Sequence, residues 1–209
     1  MADRPRGRAK MPAAPKRNRA REYGEAIFVA GVLFFFLRTF VIQAFQIPTG
    51  SMEDTLLVGD FLVANKFLYG ARIPFTETRL PAVREPKAGD IIVFRAPHVD
   101  KDYIKRCVAV EGETVELRNN VLYVNGEARE EPFTVLKGGG IPAMANWGPK
   151  VVPENALLML GDNRNQSQDS RYWGFLDKSR VKGHAMFLYF SWDKDRFLPR
   201  ITRFLRPIH

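Results

Sequence analysis

Residues 26–52 read Ala26-Ile27-Phe28-Val29-Ala30-Gly31-Val32-Leu33-Phe34-Phe35-Phe36-Leu37, then Arg38-Thr39, then Phe40-Val41-Ile42-Gln43-Ala44-Phe45, and close on Gln46-Ile47-Pro48-Thr49-Gly50-Ser51-Met52. The opening run to Leu37 has no polar side chain, but a bilayer crossing takes about 20 residues. Extension to Phe45 supplies that length, and Arg38 is close enough to the end of the run to lift its guanidinium to the interface. The reading is one transmembrane helix over 22–45. Its flank sets its direction. Residues 1–21 carry Arg4, Arg6, Arg8, Lys10, Lys16, Arg17, Arg19 and Arg21 against the single acid Asp3, so +7 of the net charge of +9 sits there. Basic flanks stay on the cytoplasmic side, which places the chain after about residue 45 outside.

The same charge distribution argues against a nucleic-acid partner, which calls for Lys and Arg spread over a folded face. The tail, with Pro5, Pro12 and Pro15, cannot bury enough apolar surface to fold and is expected to be disordered. A cleaved secretory leader also has a basic start and a short apolar core. Here no small-x-small site follows that core, and the chain runs straight into the Ser51 segment. A buried core helix would not need the basic flank.

From residue 46 to 195 the pattern is mainly β. Asp60-Phe61-Leu62-Val63-Ala64 and Asp90-Ile91-Ile92-Val93-Phe94 are short apolar runs that follow glycines. Thr114–Arg118 alternates apolar and polar, Asn119-Asn120 marks a turn, and Val121–Val124 follows, closed by Asn125-Gly126. Leu157–Leu160 and Ala185–Phe190 are further strands, and Gly138-Gly139-Gly140 is a loop. In the last segment, 196–209, Phe197, Ile201, Phe204, Leu205 and Ile208 recur at helical spacing with arginines between them. That pattern suggests a short amphipathic helix that docks on the membrane or covers the core, although Pro199 and Pro207 limit it to about two turns.

The lone cysteine, Cys107, excludes an internal disulfide, and its residue type favours a buried position. His98, His184 and His209 lack metal-ligand spacing, so no metal and no cofactor are expected. A serine hydroxyl becomes a useful nucleophile once a base takes its proton, and a lysine can be that base when burial lowers its pKa. Lys105 lies in Asp102-Tyr103-Ile104-Lys105-Arg106, among apolar neighbours. On a strand it shares a face with Tyr103 and Cys107, while Arg106 points away. The polar stretch Gly161–Gly174 completes a conjunction of three segments, each of which is weak alone.

These segments resemble those of the bacterial type I signal peptidases, membrane-bound serine endopeptidases that use a Ser/Lys dyad. The likeness covers roughly residues 22–195. Phe45–Met52 is similar to the family's nucleophile segment, Asp102–Arg106 to its base strand, and Gly161–Gly174 to its long polar signature. The resemblance implies an SH3-barrel-like catalytic core with an extended β-ribbon. Ser51 would attack the scissile carbonyl with Lys105 as general base. The Ser51 N–H and the Thr49 hydroxyl would form the oxyanion hole. Ser167 would orient the Lys105 amine by a hydrogen bond, while Asp169 and Arg171 brace the site. Phe45, Ile47, Met52, Leu56 and Ile104 would shape a small apolar pocket suited to Ala. Its partners would be preproteins bearing signal peptides and the lipid bilayer, and its place the bacterial plasma membrane. Asp54, where the family commonly has Pro, and Asn165-Gln166, in place of Asp-Asn, are departures. An organellar processing peptidase, a self-cleaving repressor and a tethered β-domain without catalysis are the alternatives. The repressor would need a DNA-binding domain, and the last leaves the composition of Gly161–Gly174 unexplained.

Overall fold

The computed structural model describes residues 19–73, 76, 78–138 and 144–209. Most of the basic tail and Gly139-Gly140 lie outside them. The chain divides into two compact units, 1–36 and 37–209. In the first, helix α1 runs Arg19–Phe36 and none of its residues is buried. It lacks proline and from Ala26 onward is apolar all round, which water does not stabilise and lipid does. With the π-helical turn Leu37–Val41 it makes a 23-residue segment of mean hydropathy 1.8. A helix of that length covers roughly 34 Å, enough for a hydrocarbon core of about 30 Å.

The helix ends earlier than the sequence suggested. Strand β1, Ile42–Gln46, takes the last four residues assigned to the span. It pairs antiparallel with β2, Asp60–Asn65, in the register Ile42↔Asn65 to Gln46↔Phe61. Lys66 closes the transition. Its backbone N–H donates to the Val41 carbonyl at 2.8 Å, and its amine donates to the Thr39 carbonyl at 2.5 Å. Carbonyls orphaned where the helical ladder stops thus find donors from the strand's own hairpin.

Next come β3 (Ile91–Arg95), β4 (Asp102–Val110), β5 (Thr114–Arg118), β6 (Val121–Val124), β7 (Glu127–Ala128), β8 (Trp147–Val151) and β9 (Ala156–Leu160). The short helix α2 (Ser170–Trp173), β10 (Leu176–Asp177), the long β11 (Val181–Asp193), β12 (Leu198–Pro199) and β13 (Arg206–Pro207) complete the chain. One sheet has the order β1-β2-β11-β3-β4-β9-β10, with β12 and β13 paired to β11. The other, β7-β6-β5-β8, forms the ribbon. The β5–β6 turn is Asn119-Asn120, both at positive φ (52° and 66°), the geometry that matches strand twist in a two-residue hairpin. Ile47, Met52, Leu56, Leu62, Ile91, Val93 and Leu188 fill the core beneath β1 to β3. Cys107 is fully buried in a neighbouring cluster, and burial pushes its thiol up to about 12, so it remains an unreactive thiol.

The segment 196–209 is not a helix. It folds back as β12, a 3-10 turn Ile201–Arg203, and β13. Arg203 is buried and donates to both carboxylate oxygens of the fully buried Asp60, at 3.1 and 2.6 Å, while Ser191 Oγ donates to Asp60 at 2.6 Å. Ile208 enters the first core cluster. Strand pairing with β11 satisfies the backbone that Pro199 and Pro207 would break in a helix. Phe197, Leu198, Ile201 and Leu205 remain exposed.

Removing one partner of a buried ion pair leaves an uncompensated charge. Arg203→Ala should therefore lower the unfolding free energy by about 3–5 kcal/mol. Denaturant unfolding of the chain in neutral detergent checks this; a loss below about 1 kcal/mol would show that the tail does not depend on Asp60.

Candidate active site

Pro48 ends the extension of β1, and a 3-10 turn, Gly50–Met52, follows. Ser51, 6% exposed, sits on that turn. Its carbonyl accepts from the Asn163 N–H at 3.2 Å, which fixes the turn against the polar stretch after β9. Gly161 makes the approach possible. A Cβ there would lie 2.2 Å from Ser167 Oγ and 2.5 Å from the Ser51 carbonyl oxygen, so only glycine fits. Only register could reveal this packing requirement in a Gly-Asp dipeptide that reads as an ordinary turn.

Lys105 stands in the interior of β4, opposite Ile92 of β3. Strand alternation puts its side chain with Tyr103, whose ring centroid is 5.4 Å from the amine. The amine donates to Ser51 Oγ at 2.6 Å, across 54 residues of sequence. Burial lowers the Lys105 pKa to about 8; the charges of Asp169 and Asp162 oppose that shift and Arg171 adds to it. Each carboxylate is already engaged. Asp162 takes two bonds from Arg106, at 2.9 and 2.7 Å, and one from Thr55 at 2.6 Å. Asp169 takes two from Arg171, at 2.8 and 2.9 Å, and one from the Gly161 N–H at 3.1 Å. Paired in this way, they support the loop while leaving desolvation of the amine dominant.

The bracing role given to Asp169 and Arg171 thus has a geometry. Arg171 also donates to the Arg164 carbonyl at 2.7 Å, and Asp169 caps α2. The Ser167–Lys105 hydrogen bond is a different matter. Among the described residues the buried Ser167 Oγ has no hydrogen-bond partner, so it does not hold the amine. Lys105 is engaged by Ser51, and Ser167 packs instead over Gly161. Thr49 is exposed and extended and shares a cleft with Ser51 and Lys105.

That cleft has a volume of about 370 Å³. Phe45, Ile47 and Ile104 line it as anticipated; Met52 and Leu56 do not. Both are fully buried in the core cluster against which Phe45 and Ile104 pack, so they back the wall. Alternation hid the missing wall residue, Val93 of β3, until pairing set it opposite Ile104. Gln46, Tyr103, Gln166 and Gln168 also line the cleft, and Tyr103 Oη donates to Gln168 Oε1 at 3.2 Å. Arg106 points away from Lys105, yet it is buried, with its guanidinium 3.7 Å from the Phe133 ring centroid.

The chain is similar to several known signal peptidases. The signal peptidase I of Pseudomonas aeruginosa is 33% identical, over 87% of this chain and 77% of its own length. That of Bacillus licheniformis is 31% identical, over 87% of this chain and 94% of its own. A solved signal peptidase I from Enterococcus faecalis matches 49% of this chain and 98% of its own, at 30% identity and a TM-score of 0.41. The family model described as signal peptidase, peptidase S26, matches residues 20–192, and the chain belongs to that family of membrane-anchored serine endopeptidases.

Proposed function

We propose that this chain removes N-terminal signal peptides from secreted preproteins at small-x-small sites, with Ser51 as nucleophile and Lys105 as general base. The observation that carries the reading is the buried 2.6 Å contact between the Lys105 amine and Ser51 Oγ. A neutral amine has a lone pair that accepts the Ser51 proton as Oγ bonds to the scissile carbonyl carbon. The Ser51 N–H and the Thr49 hydroxyl stabilise the resulting oxyanion. As the intermediate collapses, the C–N bond breaks and the Lys105 ammonium returns the proton to the leaving amine. A water molecule, deprotonated by the same amine, then hydrolyses the acyl ester and frees Ser51.

Specificity follows from the walls. Phe45, Ile47, Val93 and Ile104 give an apolar pocket held rigid by Met52 and Leu56 behind it, which favours a small side chain such as Ala. Asp169 and Arg171 act as positioning residues through Gly161, and Ser167 fills the space above it. The basic tail keeps the N-terminus cytoplasmic, so the chain crosses the bacterial plasma membrane once and the catalytic domain faces outward, where the signal peptide is presented.

Ser51→Ala and Lys105→Ala should each abolish cleavage of a preprotein carrying an Ala-x-Ala site, because the two act as one proton-transfer unit. More than a tenth of the parent rate in either variant would exclude the dyad. Thr49→Val should reduce kcat by about 10²–10³ with KM little changed, since the oxyanion exists only past the ground state.

The pH dependence has a definite sign. Activity should rise with pH through about 8, where Lys105 loses its proton. Because the folded pKa lies below the unfolded value of about 10.5, the unfolded chain binds more protons between those limits, so this group makes stability rise with pH there and adds no slope below. Lys105→Met should then be inactive yet more stable at pH 7, by on the order of 2–3 kcal/mol, because no ammonium is buried. A destabilised variant would mean that hydrogen bonding to Ser51 outweighs desolvation.

A further inference from the structure

A cavity of about 390 Å³ adjoins the catalytic cleft. Pro97, His98, Gln168, Tyr172 and Trp173 line it, and Gln168 lines the cleft as well. Its wall is a set of packed rings. The His98 ring stacks on Trp173 with centroids 6.4 Å apart and planes at 19°, and meets Tyr103 edge-on at 5.5 Å. The fully buried Phe94 ring is 5.8 Å from that of Trp173 and 6.3 Å from that of Tyr103. Phe94 belongs to a core cluster against which Tyr103 and Trp173 pack, so the platform is fixed to the sheet. His98 and Tyr172 are exposed and Trp173 is half-buried. Aromatic faces open to water in a concave site favour an apolar side chain as their partner.

Tyr103 joins this platform to the reaction centre. Its ring centroid is 5.4 Å from the Lys105 amine and 5.5 Å from the His98 ring, so an extended peptide passing Ser51 reaches the platform within about three residues. Gln168 stands at the join. Its Oε1 accepts from Tyr103 Oη at 3.2 Å, and its backbone carbonyl accepts from Trp173 Nε1 at 3.4 Å. With the amide oxygen turned to Tyr103, the Nε2 end is the one offered to a peptide carbonyl in the cleft.

The course of the substrate decides which residues arrive there. The residue before the scissile bond fits the wall of Phe45, Ile47, Val93 and Ile104. On β4, Ile104 faces away from the side that carries Tyr103 and Lys105. A peptide with its small residue against Ile104 therefore runs past the Ser51–Lys105 contact toward Tyr103 and Gln168 with the residues that follow the bond. We propose that the cavity beside Trp173 and His98 is a subsite for an apolar side chain at the second or third residue after the scissile bond, with Gln168 holding the backbone between. The proposal rests on the signal-peptide reading above and adds to it a preference on the mature-protein side of the cut.

The test compares two preproteins with the same Ala-x-Ala site, one with Leu and one with Ser at both the second and third residues after the bond. The full chain in neutral detergent should cleave the Leu substrate with kcat/KM about fivefold or more higher, mainly through KM, because apolar burial away from the reacting atoms holds ground and transition states alike. Trp173→Ala and His98→Ala should each bring that preference to within about twofold, and Trp173→Phe should keep most of it. Phe197→Ala, at an exposed ring elsewhere, should retain it in full. If Trp173→Ala fails to fold, the exposed His98→Ala gives the same reading. Equal cleavage of the two substrates, or a preference that survives both alanine variants, would overturn the subsite. A preference found instead for Leu at the fifth and sixth residues before the bond, and lost in the same variants, would overturn its assignment to the mature side. Failure to cleave either substrate would overturn the signal-peptide reading and the subsite with it, whereas cleavage without preference overturns the subsite alone.

Discussion

The fold depends on keeping one amine out of water. Lys105 occupies the middle of a strand flanked by β3 and β9, a position that sheet physics fills with an apolar residue, and its amine is bonded to a side chain 54 residues away. Burying an ammonium costs several kcal/mol. The protein lowers that cost by favouring the neutral form, with the pKa at about 8. The same desolvation that burdens stability near neutral pH would make the amine available for the base role proposed for it, so the cost to the fold and the proposed chemistry have one origin.

Around that amine the other buried charges are arranged in pairs. Arg106 with Asp162, Arg171 with Asp169 and Arg203 with Asp60 are all bidentate and nearly excluded from solvent. Such pairs add little net stability compared with apolar packing, but they constrain geometry because each has one low-energy arrangement. The first two position the loop that carries Gly161 against the Ser51 turn, and the third pins the chain's last segment to β2. Specific placement of Ser51 relative to Lys105 is what these pairs supply. Apolar packing alone would tolerate a slip of an ångström, which is enough to break the 2.6 Å contact on which the proposed chemistry rests.

What the sequence made legible was set by range. Local periodicity sufficed for the strands at Asp60–Asn65, Ile91–Arg95, Thr114–Arg118, Val121–Val124 and Ala156–Leu160, for the Asn119-Asn120 hairpin and for the apolar helix. The segments carrying Ser51, Lys105 and Asp169 are each weak alone and were identifiable by their conjunction and by family resemblance. Non-local pairing was not readable. The start of β1 inside the apolar run depends on β2 arriving to accept its hydrogen bonds, and Ile42–Phe45 alone are equally consistent with a helix. Val93 and Arg106 acquired meaning only from cross-strand register. The segment 196–209 misled for the opposite reason: its three-and-four spacing is real, but Arg203 and Ile208 answer to Asp60 and the core of the β domain rather than to a helix of their own.

The early end of the helix has a mechanical consequence for the site. Phe45 lines the catalytic cleft four residues after Val41, and at about 3.3 Å per residue the extended chain separates them by roughly 13 Å. Had the helix continued to residue 45, as the apolar run alone allows, the same four residues would advance only about 6 Å and Phe45 would be turned into a helical surface. The switch to strand at Ile42 therefore seats Phe45 in the sheet that also includes the strand bearing Lys105. Lys66, by donating both its backbone and its side chain to the carbonyls left at that switch, makes an abrupt change of backbone geometry tolerable at that point.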